Sequence, residues 1–488
     1  MATRRTAVLL FILFQALYAL TSSGNAFRAP DEFEAYFQTE HFVDAGDISI
    51  PQAVATNRFF GKFGVDGKPY APLSPLLAMV TLPHHLLGRT LALVAGIERP
   101  THPRTWIFVV SGFTMLATAT AAALAVAGFF VAALDAGAAE STALLLSLLL
   151  GGATNLWVSG TNLFSEAFIA AAFIWVVVCL RRRHFVAAGL LILAAALTKF
   201  TSLVCAPVFL VAVLMDSRMS RSSRFTGLAV LVGSMAAASL AIFAWNAFRF
   251  GNAFDFGYNW AESVPHLPAR MFSLTDFPRG LAVLLLSPGK SLFVWAPALW
   301  LSAARFHRAE RWLQVAAAVA LGLSLLMFAT SLYPEGGYSH GPRYLVPIVP
   351  LLLLPAAAPG PPLSRTAVWV CGVGGLTLAL LATSVSYLQD QSLGVSLSDF
   401  GYYQRVVPPP GRAWTQYDLS YLPFARTITG SDWPRSPHVG LGVDWFPLHL
   451  ARAKHEIPEA RVIPSWLIWA PAAVWASMLV GSMIGLRR

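Results

Sequence analysis

Residues 181–224 read RRRHFVAAGLLILAAALTKFTSLVCAPVFLVAVLMDSRMSRSSR. Two apolar runs, Phe185 to Leu197 and Phe200 to Met215, meet at Thr198-Lys199 and stand on basic feet. Arg181, Arg182 and Arg183 precede them; Arg218, Arg221 and Arg224 follow. Clustered Arg and Lys next to apolar segments are retained on the cytoplasmic side of a membrane, so both feet share one face. The pattern predicts a hairpin of two short helices, with Lys199 at its bend pointing toward the opposite face.

The rest of the chain has the composition that such a hairpin requires. Of 488 residues, 56% are hydrophobic and only 12% charged, and the mean hydropathy is +0.61. A soluble core does not need this much apolar sequence, so the chain is read as an all-α polytopic membrane protein. Cys179, Cys205 and Cys371 lie inside apolar runs and read as small core residues, not as a disulfide or metal framework. The formal net charge of +10 comes from short clusters between apolar segments, where it orients the protein in a bilayer. Nucleic acid is not expected as a partner.

Further apolar runs suited to crossing a bilayer occur at Thr6 to Leu20, Trp106 to Leu134, Ser141 to Val158, Leu163 to Leu180 and Thr226 to Phe248. Others lie at Leu281 to Ala303, Trp312 to Leu332, Leu345 to Ala356, Thr366 to Tyr387 and Trp466 to Leu486. Counting from Arg4-Arg5 inside to Arg487-Arg488 gives about a dozen crossings. One segment is decided by parity: a span at Pro75 to Ile97 would move Arg181 to Arg183 and Arg305 to Arg311 outside. It is therefore read as interfacial or re-entrant, in keeping with its Pro83, His84, His85 and Arg89. The first run has the charge pattern of a signal peptide but is read as a retained anchor, because an acidic loop follows it at once. The organisation expected is a transmembrane region over 1–387 with a first outer loop over 21–105, an outer loop over 388–464, and a last helix over 465–488 ending in the cytoplasm.

On this topology Asp31-Glu32, Lys199 and Arg343, all costly near a membrane, converge on the outer face. Asp31 has two readings, the cap of an interfacial helix or a general base. Glu166 lies just inside the outer end of a span, where an isolated carboxylate needs a partner or a raised pKa; it is read either as an ion pair with Lys199 or as a group positioning substrate. His41, His84, His85, His340 and His438 lack zinc spacing. Ser287-Pro288-Gly289-Lys290 lacks the residue order of a phosphate loop and reads as a helix break. Trp414, Tyr417, Trp433 and Trp445 in the tail loop suit either sugar stacking or a membrane-interface belt.

Several stretches resemble the membrane-embedded GT-C glycosyltransferases, in particular the branch of protein O-mannosyltransferases and aminoarabinose transferases. They are Asp31 to Asp47, Asp66-Gly67-Lys68-Pro69-Tyr70-Ala71-Pro72-Leu73-Ser74-Pro75, and Gly341-Pro342-Arg343-Tyr344-Leu345-Val346-Pro347, with support from Asn246 to Gly251 and Leu286 to Phe293. The resemblance reaches to about Leu354, and the tail loop resembles nothing comparable. It implies a GT-C-like bundle of about 12 transmembrane helices, with interfacial helices in the first outer loop. It implies a catalytic carboxylate at Asp31, with Glu32 as the neighbouring candidate, and lipid-phosphate contacts from Arg343 and Lys199, with Tyr344 beside them. Glu166, Lys68 and Tyr70 would position substrate.

A nucleotide-sugar enzyme needs a soluble strand-loop-helix unit, and the short cytoplasmic connections have no room for one. The donor expected is therefore a polyprenyl-phosphate sugar, and the acceptor an unspecified glycan, lipid or protein. No cofactor is required by any spacing, although a divalent metal near Asp44, Asp47 or Glu166 stays open. Two other readings remain: a polysaccharide polymerase or ligase acting on lipid-linked glycans, and a lipid or sugar transporter (flippase). The last would show internal repeats with matched helix breaks, which the sequence lacks. The setting expected is a bacterial inner membrane, with the site facing the periplasm.

Overall fold

The structure, a computed structural model, describes residues 2–23, 29–56, 59–257, 272–331, 334, 336, 339–384 and 445–487. Among these residues it is all-α apart from one two-stranded antiparallel ribbon, Lys62–Phe63 with Pro69–Tyr70. Among the described residues eleven α-helices run from the N-terminus to Phe250: α1 Ala2–Thr21, α2 Pro30–Ala45, α3 Pro51–Ala55, α4 Pro75–Val94, α5 Pro103–Asp135, α6 Glu140–Gly152, α7 Asn155–Gly160, α8 Glu166–Arg181, α9 Phe185–Thr198, α10 Pro207–Met215 and α11 Arg221–Phe250. Beyond them the long helices are Arg311–Ala329, Arg365–Ser384 and Ser465–Arg487.

The organising element is α5. Its 33 residues extend about 50 Å at the usual helical rise, well beyond the roughly 30 Å hydrocarbon core of a bilayer. Its two halves belong to different cores. Ala119 to Ala133 pack with Phe14 and Tyr18 of α1, with Ile169 to Val178 of α8 and with Leu345 to Ala358. Trp106 to Leu116 pack instead with Phe33 and Tyr36 of α2, Leu77 of α4 and Phe446. Small residues let α5 be buried on all sides: a Cβ at Gly112 would lie 2.0 Å from the Phe446 ring, and one at Gly128 would lie 2.8 Å from Trp175. A membrane-spanning bundle thus carries a second layer at one end.

Residues 181–224 form the hairpin read from sequence. Arg181 at the end of α8 pairs with Asp216 at 3.0 Å and ties the two feet together. At the far end α9 stops where Lys199 turns extended, with φ −154° and ψ 116°; a 3-10 turn over Phe200–Val204 follows, and Pro207 opens α10. Lys199 therefore lies at the opposite end of the bundle from Arg181 to Arg183.

Segment 75–97 holds a continuous 20-residue helix, α4, one of seven helices among the described residues that are long and apolar enough to cross a membrane. It runs antiparallel along only one part of α5, with His84 bonded to Thr120, His85 to Thr114, and Gly88 against Val110 and Phe113. Its contacts thus reach from the end-layer core of α5 into the first turn of its bundle core.

Three runs read as single spans are broken. Ser141 to Val158 divides into α6 and α7, with the Thr154 hydroxyl accepting from Leu156 N and capping α7. Leu281 to Ala303 becomes short helices over Phe277–Leu286, Leu292–Trp295 and Leu299–Arg305, interrupted near Pro288 and Pro297. Leu345 to Ala356 becomes alternating 3-10 and α turns around Pro347, Pro350 and Pro355, since each proline removes a backbone donor and clashes with the preceding turn. Four shorter apolar helical stretches accompany the seven long ones among the described residues.

Candidate active site

The site lies where the two α5 cores meet. α2 starts at Pro30 with Ala29 as its N-cap residue and no side-chain cap bond, so Asp31 is inside the first turn and does not cap the helix. Its carboxylate instead accepts a charge-assisted hydrogen bond from Arg343 Nη2 at 2.6 Å. The capping reading of Asp31 is corrected by this geometry. Asp31 is half-buried; burial raises its pKa, but the charges of Arg343 and Lys199 and the Arg343 hydrogen bond outweigh that and hold it below the ordinary carboxylate value.

Glu32 faces elsewhere. Its buried carboxylate accepts from Leu163 N at 3.2 Å, because successive helical residues are rotated by about 100°. Glu34, also buried, accepts from Phe60 N at 3.0 Å. Burial raises the Glu34 pKa well above its usual value against that backbone bond, and the Asp31 charge adds to the rise.

Arg343 arrives on a tight turn. Gly341 adopts φ +68°, and a Cβ there would meet the Trp295 ring at 2.8 Å, so the turn needs glycine. The guanidinium stacks 4.3 Å from the Phe164 ring and 5.1 Å from Tyr344. Tyr344 in turn stacks on Phe328 at 4.8 Å. Lys199 pairs with the buried carboxylate of Glu166 at 2.7 Å and sits 4.9 Å over the Tyr344 ring. Two buried polar atoms of this cluster, Arg343 Nε and Glu166 Oε2, have no hydrogen-bond partner among the described residues. Such atoms in a native fold call for a ligand or water.

Asp31, Lys199, Ser165, Phe164, Ser74 and Leu73 line one cavity with Pro72, Leu77, Leu163, Thr198 and Phe200. A second cavity reaches Glu166, Lys199 and Tyr344 from the apolar side, against Ile169, Phe173, Phe328 and Ile348. Lys199 is common to both. The structure thus brings together Asp31, Lys199, Arg343, Tyr344 and Glu166, while Glu32 turns away into the protein.

Lys68 and Tyr70 are not on the walls of these cavities. Lys68 pairs with Asp47 at 2.7 Å, and Tyr70 donates to Asp66 at 2.8 Å with its ring edge-on to Trp245 and Phe250. They belong to the ribbon that supports the cavity wall. A residue whose part the sequence did not assign, Arg249 at the end of α11, fixes that wall: it is buried, donates to the carbonyls of Ala71 (2.6 Å) and Leu73 (3.4 Å), and stacks on Trp245 and Phe250. The available signal was an arginine ending a long apolar run.

Among the described residues no group of three or more His, Cys, Asp or Glu is placed to hold a metal ion. Asp44 pairs with Arg89 and Arg99, Asp47 with Lys68 and Glu166 with Lys199, so these acids are engaged by cations. The aromatic residues Trp414, Tyr417 and Trp433, and His438, lie outside the described residues.

No family model and no curated protein matches the chain. Among solved structures it is similar to ArnT from Cupriavidus metallidurans in the apo state, with 17% identity, 97% of this chain and 76% of that one covered, and a TM-score of 0.49. The same protein bound to undecaprenyl phosphate gives 15% identity, coverages of 98% and 77%, and a TM-score of 0.46. The archaeal oligosaccharyltransferase AglB from Archaeoglobus fulgidus, in complex with an inhibitory peptide and a dolichol-phosphate, gives 11% identity, coverages of 97% and 71%, and a TM-score of 0.43.

Proposed function

We propose that the chain is an inverting glycosyltransferase that moves a sugar from a polyprenyl-phosphate carrier to an acceptor, at the membrane face opposite Arg181 to Arg183. One observation carries this reading. A carboxylate (Asp31) and two cations (Arg343 and Lys199) converge where a membrane-spanning bundle meets its end layer, the place at which a lipid-borne phosphate and a water-borne nucleophile can meet. The resemblance of the segments around Asp31 and Arg343 to GT-C enzymes supports it.

Each group then has a task. Arg343 presents a planar fork to phosphate oxygens, whereas Lys199 supplies a point charge. Both offset the negative charge that grows on the phosphate as its bond to the anomeric carbon breaks. Asp31 takes the proton of the acceptor hydroxyl or amine as that atom attacks the anomeric carbon from the opposite side. The products are an inverted glycoside and the free polyprenyl phosphate. Glu166 holds Lys199 in place.

The Asp31–Arg343 bond has a consequence for this cycle. A carboxylate held by a guanidinium is a weak base. A donor phosphate competing for the Arg343 fork releases Asp31, so the base becomes effective only when the donor is seated. The unpartnered Arg343 Nε offers the phosphate a further donor.

The test is transfer from purified polyprenyl-phosphate sugars by Asp31→Asn, Glu32→Gln and the double variant. Asp31→Asn should fold, bind donor and lose transfer by about a hundredfold or more, the scale of a missing general base. Near-normal transfer by all three proteins would overturn the reading and favour a transporter. Using diphosphate-linked glycans in the same assay addresses the polymerase or ligase alternative: activity only with those donors would replace the monophosphate assignment.

A further inference from the structure

The end of the bundle opposite Asp31 holds another concave, charged site, which the chemistry above does not use. Asp135 at the end of α5, Arg181 at the end of α8, Arg182 and Arg183 after it, and Asp216 and Arg218 after α10 surround a cavity of about 190 Å³. Some of these charges build its walls. Arg181 is buried between Asp216 at 3.0 Å, Glu310 at 3.5 Å and the Trp312 ring at 5.1 Å. Arg182 grips both oxygens of Asp135, at 3.0 and 3.3 Å.

Arg183 is different. Its guanidinium donates to the Arg218 carbonyl at 3.1 Å and pairs with no carboxylate among the described residues. Its backbone has φ +61°, and it is the one non-glycine residue with positive φ among the described residues. The chain ends α8 there in a Schellman turn, with His184 N bonded to Cys179 O at 2.8 Å and Arg183 N to Leu180 O at 3.0 Å. Glycine or asparagine suits the left-handed position of that turn, and a larger residue occupies it at a conformational cost. Orienting the protein in a membrane needs only positive charge near the span. It does not need arginine at the strained position, nor an arginine-lined cavity. The placement of Arg183 beside Arg218, over walls already built by ion pairs, instead suits a bound anion.

We infer that this cavity binds a phosphate group, presented either by the headgroup of an anionic phospholipid or as free phosphate, with Arg183 as its principal ligand and Arg218, which also pairs with Glu310, as the second. Arg183 is exposed, and Arg218, which pairs through Nη2 with Glu310 at 2.5 Å, is still 60% exposed, so both reach the rim, where a planar guanidinium matches phosphate oxygens in pairs. Basic pockets between spanning helices on the cytoplasmic side are a general means of holding acidic headgroups.

The test uses full-length protein purified from bilayers of phosphatidylcholine with and without phosphatidylglycerol, analysed by native mass spectrometry. Arg183→Gly combined with Arg218→Gln removes both ligands, while glycine relieves the backbone at position 183, so lost binding cannot be ascribed to misfolding as long as the lipid-free melting temperature is unchanged or higher. The unaltered protein should retain phosphatidylglycerol in preference to phosphatidylcholine, and the double variant should retain it at least about tenfold less, the scale expected when charge-assisted hydrogen bonds are lost. If inorganic phosphate raises the melting temperature of the lipid-free parent but not of the variant, and displaces the lipid, the source is free phosphate; if only the lipid is held, the source is the headgroup. Equal retention by parent and double variant, or no preference for phosphatidylglycerol together with no effect of phosphate, overturns the proposal.

Discussion

Asp31 and Arg343 are separated by 312 positions in sequence and by 2.6 Å in space, and each sets the chemistry of the other. The folded pKa of Asp31 is depressed, so the pair contributes stability above the ordinary carboxylate pKa of about 4, and that contribution is lost as pH falls through the lowered folded value. Removing the cation reverses the balance. In Arg343→Gln the burial that raises the Asp31 pKa remains while its largest opposing charge is gone, so the acid limb of kcat/KM should move to higher pH. A profile of residual transfer against pH measures this, and an unmoved limb would detach Asp31 from the rate. Arg343→Lys keeps the charge but loses the fork; donor affinity should fall by about tenfold, and further in Arg343→Ala. Unchanged donor binding in a folded Arg343→Ala protein would leave this arginine without its assigned part. Much of the cluster was legible in sequence because charges in an apolar chain are conspicuous and topology assigns them a face. The separate directions of Asp31 and Glu32 were not, since that needs the burial face of α2, and its apolar residues Phe33, Tyr36 and Phe37 are interleaved with acids.

At the scale of elements, the hairpin over 181–224 could be read because its feet carry charge and its bend carries Lys199, signals that tertiary contacts do not erase. The broken spans were harder, because hydropathy integrates over a window while proline acts at one residue: a run such as Leu345 to Ala356 is apolar throughout yet turns repeatedly. The double use of α5 was hidden for another reason, as its apolar residues surround the helix and show no face. Its glycines reveal the partners only in the fold. Gly112 faces Phe446 so closely that Gly112→Leu must separate α5 from the helix Phe446–Glu456, at about 1–3 kcal/mol for overpacking. Gly233 in α11 has nothing within 4 Å of an added Cβ, so Gly233→Ala should be neutral or slightly stabilising. Thermal unfolding in detergent compares the two, and equal melting temperatures for both variants would show that the α5–Phe446 packing does not limit stability.

For the whole molecule the decisive relation is that Lys199 and Arg181 to Arg183 occupy opposite ends of one bundle, joined through α8 and the hairpin. This fixes the site relative to the basic feet without fixing either relative to the cell. On the proposed reading the charge rule supplies that step, with the arginines in the cytoplasm and Asp31 outside. A cysteine probe tests it, and the structure guides the choice of position: Ser49 in the first loop is only 2% exposed, whereas Val65 in the same layer is 70% exposed and Ser222, at the start of α11, is exposed. Cys205 and Cys371 are buried and Cys179 is partly so, so replacing Cys179 leaves a quiet background. Val65→Cys should react with a membrane-impermeant thiol reagent in intact cells, and Ser222→Cys should react only after permeabilisation. The converse pattern would invert the protein, move Asp31 and Arg343 to the cytoplasmic side, and require a donor whose sugar faces inward. It would also break the agreement between charge and topology, because Arg181 to Arg183 and the later basic clusters would then lie outside. Since the ribbon that carries Val65 leads into the cavity wall at Pro72 to Leu77, the labelling of Val65 reports on the side from which an acceptor reaches Asp31.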